Sequence, residues 1–581
     1  MGKTDFTFGI ITDTHILPSQ GDDSSPYAVN DLANERARYA CALLAAHSPD
    51  FTIHLGDMVH TLPHLPTYRD ACHEAHSIFE SLKPNLHYVA GNHDIGDKPM
   101  VASPAGGVDQ QSENGYSKHF GESWYGFQHG DCVFFVLNSS LVNTGTERET
   151  TQRRWFEQEL RAHSGKRLFV CSHYPPFINQ PDEPAHYDNY EEPGRKWLLD
   201  LMNEHRVEAV FSGHVHQFFY NCYGYTKLYC LPPTSFTRQD YSELYRTRPE
   251  PEFGRDDRGK FSVALIHVNS DRHRLEIIPT DGKRASEDYP AINVPKSAIP
   301  HSNLAVHLRH AWYEANDLPF NGPMEEFSRK RARNDYTLMR LWQMGILRVR
   351  TPLDDLVDPV GRRRMLDWAA SGMAFTLVTA SAPDDIPWQL LFESRLVVAE
   401  IEFATRREGL EQLLSGLGEY AKRVPARLNV TKIHTSADEK RVGSKFAHNV
   451  SSGFLPDEAD EVLELASLEG DISSVVYQIN IDDDLDRIIH HLIGVHKGSG
   501  VDPAFNIRFA TRSPALANFD DDIIERRVAS ALVLARKFSD LEFQFDTFMD
   551  IDRGYSPRNG LIDRSSNFRS AGRILAYDRD L

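Results

Sequence analysis

No stretch of the 581-residue sequence approaches the roughly 18 consecutive apolar residues that a membrane-spanning helix requires. Residues 1–11 lack a basic n-region, an apolar h-region and a cleavage site, so a cytoplasmic protein with no membrane partner is expected. Positive charge is not in excess either: 63 Lys and Arg stand against 83 Asp and Glu, a formal net charge of -20. A dedicated nucleic-acid binder needs a basic stripe to neutralise phosphates, so no nucleic-acid partner is expected and a small-molecule substrate is. The six cysteines (Cys41, Cys72, Cys132, Cys171, Cys222, Cys230) are irregularly spaced without a CxxC pair. That spacing argues for reduced, mostly buried thiols rather than disulfides or a zinc knot. All six precede residue 231, so the two halves of the chain differ in composition. The sequence carries no signal for an oligomeric state.

The length suggests two large domains. Up to about residue 290, short apolar runs at 6–12, 51–55, 86–90, 132–137, 167–171 and 207–211 predict strands, with helical patterns such as 28–46 and 150–163 between them. After His216 the pattern becomes strand-rich, through 223–231, 261–268 and 275–279, which predicts a layered α/β domain over residues 1–285. Residues 286–340 carry several prolines and the basic cluster Arg329-Lys330-Arg331-Ala332-Arg333, read as a linker with a solvated helix. Residues 341–581 show eight strand-like runs, at 347–350, 375–379, 396–403, 427–433, 475–481, 505–509, 541–545 and 573–576. Helical segments such as 361–370, 408–422, 457–468 and 521–537 separate most of them, the rhythm of a (β/α)8 barrel whose last repeat is the weakest.

Five short blocks, each after a predicted strand, carry the chemistry: Asp13-Thr14-His15, Gly56-Asp57, Gly91-Asn92-His93-Asp94, His173 and Gly213-His214-Val215-His216. Singly they are weak; in this order at strand ends they are specific. The order resembles the calcineurin-like metallophosphoesterase family over about residues 5–280. The stretches 91–97 and 136–139 are most similar to the branch of small calcineurin-like phosphoesterase-domain proteins, neighbours of the purple acid phosphatases. The resemblance implies an αββα sandwich and two divalent transition-metal ions. Asp13, His15 and His216 would hold one, Asn92, His173 and His214 the other, and Asp57 both. Carboxylate, imidazole and amide oxygen without thiolate suit Mn, Fe or Zn. The implied reaction is hydrolysis of a phosphoester by a hydroxide bridging the metals, with His93 assisting the leaving oxygen and Asp94 orienting His93. Asn92 and His60 are the candidate substrate contacts.

Departures from neighbouring families narrow the substrate. Gly56-Asp57 is followed by Met58-Val59-His60, not by the Val-Asp-Arg-Gly run of the protein serine/threonine phosphatases of this superfamily. His60 stands where purple acid phosphatases place a tyrosinate ligand, and His15 has no counterpart there. The DxH and GNHD blocks tilt the expectation toward a phosphodiester, with a monoester as the alternative. His54 reads as packing or support for the ligands. Tyr174-Pro175-Pro176 reads as a rigid turn after His173, and the insert 98–117 as a flank of the cleft.

In the second half, polar residues alternate with apolar ones along the predicted strands: Arg348 and Arg350, Glu400 and Glu402, Gln478 and Asn480, Asn506 and Arg508, Glu542, Gln544 and Asp546. Outward positions should be apolar, so the polar set is expected inside the barrel, as an ion-pair and amide network. The competing reading is a second pocket at the mouth that gathers Lys432, His434, Asp482, Arg512 and Asp550. The region has no phosphate-binding glycine motif, radical-cluster cysteine triplet or clear metal triad.

Overall fold

The computed structural model describes residues 5–577 apart from 22–24, 26, 100–105, 246, 289–299, 319–328, 395–396, 422–425, 442–450, 470–471, 510–520 and 551–557. Two compact units result, one from residues 1–297 with 315–339, the other from 298–314 with 340–581. No helix among the described residues is long and apolar enough to cross a membrane.

Unit 1 is built on two sheets. The first has the order β11-β10-β1-β2-β3, with β1 (Phe6–Ile11), β2 (Phe51–His54), β3 (Leu86–Tyr88), β10 (Ser262–Val268) and β11 (His273–Pro279). The second has the order β4-β5-β6-β7-β9-β8, with β4 (Tyr125–His129), β5 (Cys132–Leu137), β6 (Arg167–Ser172), β7 (Ala209–Ser212), β8 (Phe219–Tyr223) and β9 (Thr226–Cys230). Parallel strands covered on both faces read as continuous apolar runs, which is why the sequence located them well. Between the sheets lies an aromatic layer: Phe8 packs edge-on to Phe134 at 5.2 Å and to Phe211 at 5.8 Å, and Phe134 stacks on Phe169 at 5.0 Å. The helices Ala33–Ala46 and Tyr68–Ile78 contribute Ala40, Leu44 and Cys72 to the outer core of the first sheet. The helices Glu147–Ala162 and Gly194–Glu204 contribute Phe156, Leu160 and Leu198 to that of the second, completing the αββα layers.

The stretch expected to be a solvated linker contributes to both units. A two-stranded ribbon, β13 (Asn316–Asp317) with β14 (Arg331–Ala332), belongs to unit 1, and Lys330 and Arg333 of the basic cluster are buried there. The carboxylate partners of Lys330 are Asp188 and Asp240, far off in sequence, so a local charge run could not distinguish a buried ion-pair cluster from a solvated face.

Unit 2 is a closed eight-stranded parallel barrel of β12 (His301–His307), β15 (Ile346–Pro352), β16 (Ala374–Thr379), β17 (Val398–Thr405), β18 (Arg427–Lys432), β19 (Ser474–Ile479), β20 (Asp502–Arg508) and β21 (Phe543–Asp546). The count is as expected, but the membership shifts by one. β12, from the presumed linker, closes the barrel by pairing with β15 and β21, and the run at 573–576 lies in the helix Ser570–Tyr577. Short apolar runs such as Leu304-Ala305-Val306 and Ile574-Leu575-Ala576 do not by themselves separate strand from helix.

The alternating polar residues bond across intervening strands, which places them inside. Arg350 on β15 makes a two-pronged pair with Glu402 on β17, both contacts at 2.7 Å, and Arg348 reaches Glu400 at 2.8 Å and Glu542 at 3.4 Å. The mouth residues are engaged locally. Lys432 pairs with Asp438 (2.7 Å) and Glu458 (2.6 Å), His434 with Glu439 (3.0 Å), and Asp550 with Arg569 (2.8 Å), while Asp482 is exposed. Arg512 lies outside the described residues.

Candidate metal centre

Each of the five sequence blocks follows a parallel strand of unit 1: β1, β2, β3, β6 and β7. Backbone bonds clip the loops together, Asp13 N to Gly56 O (3.1 Å), His15 N to Asp57 O (3.0 Å) and Gly213 N to His173 O (3.0 Å). The backbone is bent sharply where the side chains must converge. Among the described residues 13 non-glycine positions have positive φ, and five of them are expected ligands: Asp13 (52°), His15 (46°), Asp57 (54°), His214 (70°) and His216 (55°). Such conformations cost of order 1–3 kcal/mol each and persist where surrounding structure enforces them, commonly at functional sites.

The side chains form two adjoining buried clusters, Asp13, His15, Asp57 and His216 in one and Asp57, His173 and His214 in the other, and His15 also belongs to a third, less buried group with His60 and His93. Asp57 is common to both, facing His15 Nε2 at 3.5 Å with one oxygen and His173 Nε2 at 3.3 Å with the other. His216 Nε2 lies 3.0 Å from His15 Nε2 and 3.3 Å from Asp13 Oδ1. Asn92 joins the second cluster, its Oδ1 3.1 Å from His173 Nε2 and 3.0 Å from His214 Nδ1.

The outer hydrogen bonds fix which atoms face inward. His173 Nδ1–H donates to Leu55 O (2.9 Å) and His216 Nδ1–H to Phe236 O (2.6 Å), leaving both Nε2 lone pairs aimed at the centre. Asn92 Nδ2 donates to the Tyr187 hydroxyl (3.0 Å), which turns Oδ1 inward. The His173 Nε2 lone pair is therefore faced by two acceptor oxygens, Asp57 Oδ1 at 3.3 Å and Asn92 Oδ1 at 3.1 Å. A buried set of lone pairs of this kind is neutralised by a cation, so the donor set fits divalent metal. With a proton in that place, burial opposes the His173 imidazolium, but Asp57 more than compensates and raises its pKa to about 9.

The flanking residues divide differently from expectation. His93 donates its backbone N–H to Asp57 Oδ1 (2.9 Å), and its Nδ1 meets the His60 carbonyl at 2.5 Å. Asp94 does not orient that ring. Its oxygens accept from the backbone of Val59 (3.2 Å) and Gly91 (2.9 Å), so it caps the two loops, because the short helix Asn92–Ile95 turns its side chain back onto its own N-terminus. His60 is half-buried with Nδ1 3.2 Å from His15 Nδ1, and burial lowers its pKa to about 3. His54 accepts from Gly56 N (3.2 Å) and meets Thr14 Oγ1 (3.0 Å), a support role as expected. Tyr174 packs its ring against that of His214, centroids 4.1 Å apart and planes tilted by 49°. Sequence reasoning missed Tyr187, Asp188, Phe236 and Arg238, which have no motif and meet the site only through the fold. Part of the insert 98–117 lies outside the described residues; Lys98 at its start is buried and donates to His186 O (2.8 Å).

Comparison with known proteins agrees with this geometry. Residues 6–218 match the family model of calcineurin-like phosphoesterases. The chain is 27% identical over 177 residues to the serine/threonine-protein phosphatase CPPED1 of Mus musculus, covering 29% of this chain and 54% of that protein. The chain thus spans about half the length of that curated relative. It is 23% identical over 273 residues, 46% of this chain and 89% of the relative, to a probable cyclic nucleotide phosphodiesterase of Pseudoalteromonas sp. (strain SM9913). Among solved structures, a purple acid phosphatase from yellow lupin seeds aligns with a TM-score of 0.34 at 16% identity, over 48% of this chain and 52% of the other. Family match and clustered ligands together identify residues 6–218 as a calcineurin-like phosphoesterase domain.

Proposed function

We propose that the chain is a binuclear metal-dependent phosphoesterase that hydrolyses a small-molecule phosphoester, a diester in preference to a monoester. The observation that carries the reading is the convergence of Asp13, His15, Asp57, Asn92, His173, His214 and His216, five of them held in left-handed backbone, around the shared carboxylate of Asp57. Asp13, His15, Asp57 and His216 would hold one ion, and Asp57, Asn92, His173 and His214 the other. Two such ions supply Lewis-acid polarisation of a phosphoryl oxygen and a water of lowered pKa. The names of the relatives, a phosphatase and a probable cyclic nucleotide phosphodiesterase, support the phosphoester class.

The remaining roles belong to the chain's own side chains. His93, its Nδ1 tied to the His60 carbonyl, presents Nε2 as the group that gives a proton to the leaving oxygen. His60 stacks beside it, ring centroids 5.1 Å apart, and contributes to the same wall. The Asp13-Thr14-His15 and Gly91-Asn92-His93-Asp94 blocks, with a probable cyclic nucleotide phosphodiesterase among the relatives, support the diester.

The test is elemental analysis after reconstitution with Mn, Fe or Zn, followed by kcat/KM for a bis-aryl phosphate against the matching aryl phosphate. Two ions per chain and a ratio favouring the diester are expected. A ratio favouring the monoester would move the protein to the phosphatase side, and fewer than one ion per chain without activation would sink the enzymatic reading.

A further inference from the structure

The ring nitrogen of His214 that faces away from the centre points to a second buried cluster. His214 Nδ1 meets Asn92, and Nε2 lies 3.6 Å from Asp188 Oδ1, too long for a hydrogen bond but close for a charge facing an N–H. Asp188 is completely buried. Its other oxygen accepts from the Tyr241 hydroxyl (2.8 Å) and Lys330 Nζ (2.6 Å), and Arg238 Nη1 holds Oδ1. Lys330 also pairs with Asp240 at 2.7 Å, and Arg238 with Asp240 at 2.9 Å, so two carboxylates and two cations close a neutral quartet.

Burying four charges is costly, and well-packed apolar side chains of the same volume would fill the space more cheaply. What the quartet supplies is a carboxylate of fixed position behind a histidine. Histidines that ligate metals are generally oriented by such a carboxylate on the opposite ring nitrogen, and loss of the partner weakens metal binding. Arg238 approaches Asp188 from one oxygen. Without Lys330, only the neutral Tyr241 hydroxyl remains on the other oxygen, no cation balances that pull, and the carboxylate is held less firmly.

We propose that Lys330 is a positioning residue of the metal centre, acting through Asp188 on His214; the proposal rests on the metal-dependent reading above. Lys330 lies 112 residues beyond the end of the family match at 218, next to the ribbon β13–β14. The strap is anchored independently, for Arg333 binds Asn221 Oδ1 (2.8 Å) and the Asn179 carbonyl (2.9 Å). The metal site of unit 1 is thus completed by a segment that the family pattern does not include.

The experiment uses the full chain and titrates Zn²⁺ and Mn²⁺ against a chromogenic chelator, with thermal unfolding in parallel. Wild type takes up two ions. Lys330→Met weakens one of them by about 10-fold or more and leaves the other unchanged, and Lys330→Arg restores most of the loss. Arg167→Met, which breaks the pair with Glu208 at the end of β6 away from His173, lowers thermal stability and leaves both affinities unchanged. Should Lys330→Met not fold, Asp188→Asn keeps the volume and carries the same expectation of one weakened ion. Unchanged affinities in the Lys330 or Asp188 variants, equal weakening of both ions, or an equal effect of Arg167→Met would overturn the proposal. A wild type that takes up no ion would overturn the phosphoesterase reading as well, which separates the two failures.

Discussion

Gly91 and Asp57 lie so close that a Cβ added at Gly91 would sit 2.2 Å from the Asp57 amide nitrogen and 2.3 Å from Asp57 Oδ1. The glycine is required for space, since its backbone is extended (φ -94°). Any side chain would push the Asp57 carboxylate away from His173. Gly91→Ala is therefore expected to leave a folded protein, destabilised by about 1–3 kcal/mol, that no longer holds two ions. Elemental analysis beside a thermal melt reads both quantities, and a variant that keeps two ions would show that the pocket yields.

Asp57 and His93 are expected to separate metal binding from chemistry. Asp57→Asn removes the shared charge, so both ions and activity should be lost together. His93→Ala touches no other expected ligand through its ring hydrogen bond, which ends on the His60 carbonyl. It should retain both ions and lower kcat by about 10²–10⁴-fold. Loss of metal in His93→Ala would show that the two roles are not distinct.

A third expectation concerns acid stability and does not involve the metal centre. Glu208 is gripped by Arg167 through two contacts of 2.6 Å and by His273 Nδ1 at 2.6 Å. Burial works against its charge, but Arg167 and His273 outweigh it and lower the pKa from 4.5 to about 2. A carboxyl whose folded pKa is depressed contributes stability in full above pH 4.5 and loses it as pH falls toward 2. The contribution at neutral pH is on the order of 3 kcal/mol. Glu208→Gln should thus melt well below wild type at pH 7, with the gap narrowing as pH falls below 4.5; a gap of constant size would refute the linkage.

The clustering of Asp13, His15, Asp57, Asn92, His173, His214 and His216 was legible in the sequence because each sits one to four residues past an apolar strand, and burial on both sheet faces makes those strands conspicuous. The orientation of His93 was not, since the atom that fixes it is a backbone carbonyl, His60 O, which no residue type announces. Lys330 was read as solvated because its partners Asp188 and Asp240 are 142 and 90 residues away. In the barrel the period-2 alternation exposed the lumen, whereas β12 was hidden because only Leu304, Ala305 and Val306 of its seven residues are apolar.

The lumen offers the last test, because its charges have either a structural or a functional reason. Arg350 and Glu402 are both buried and joined by two contacts of 2.7 Å, and Arg350 also meets the His307 ring at 2.9 Å. Removing one member leaves a buried charge without its counter-ion, a loss of about 3–5 kcal/mol, whereas replacing both with apolar residues of similar volume is often neutral. Arg350→Met should therefore shift the urea midpoint of unit 2 strongly, and Arg350→Met with Glu402→Met should recover most of the shift. Recovery in the double variant would assign the pair to filling the barrel with mutually satisfied charge. A double variant as unstable as the single would mean that Glu402 or Arg350 answers to something besides its partner, and would turn attention back to the barrel mouth as a binding site.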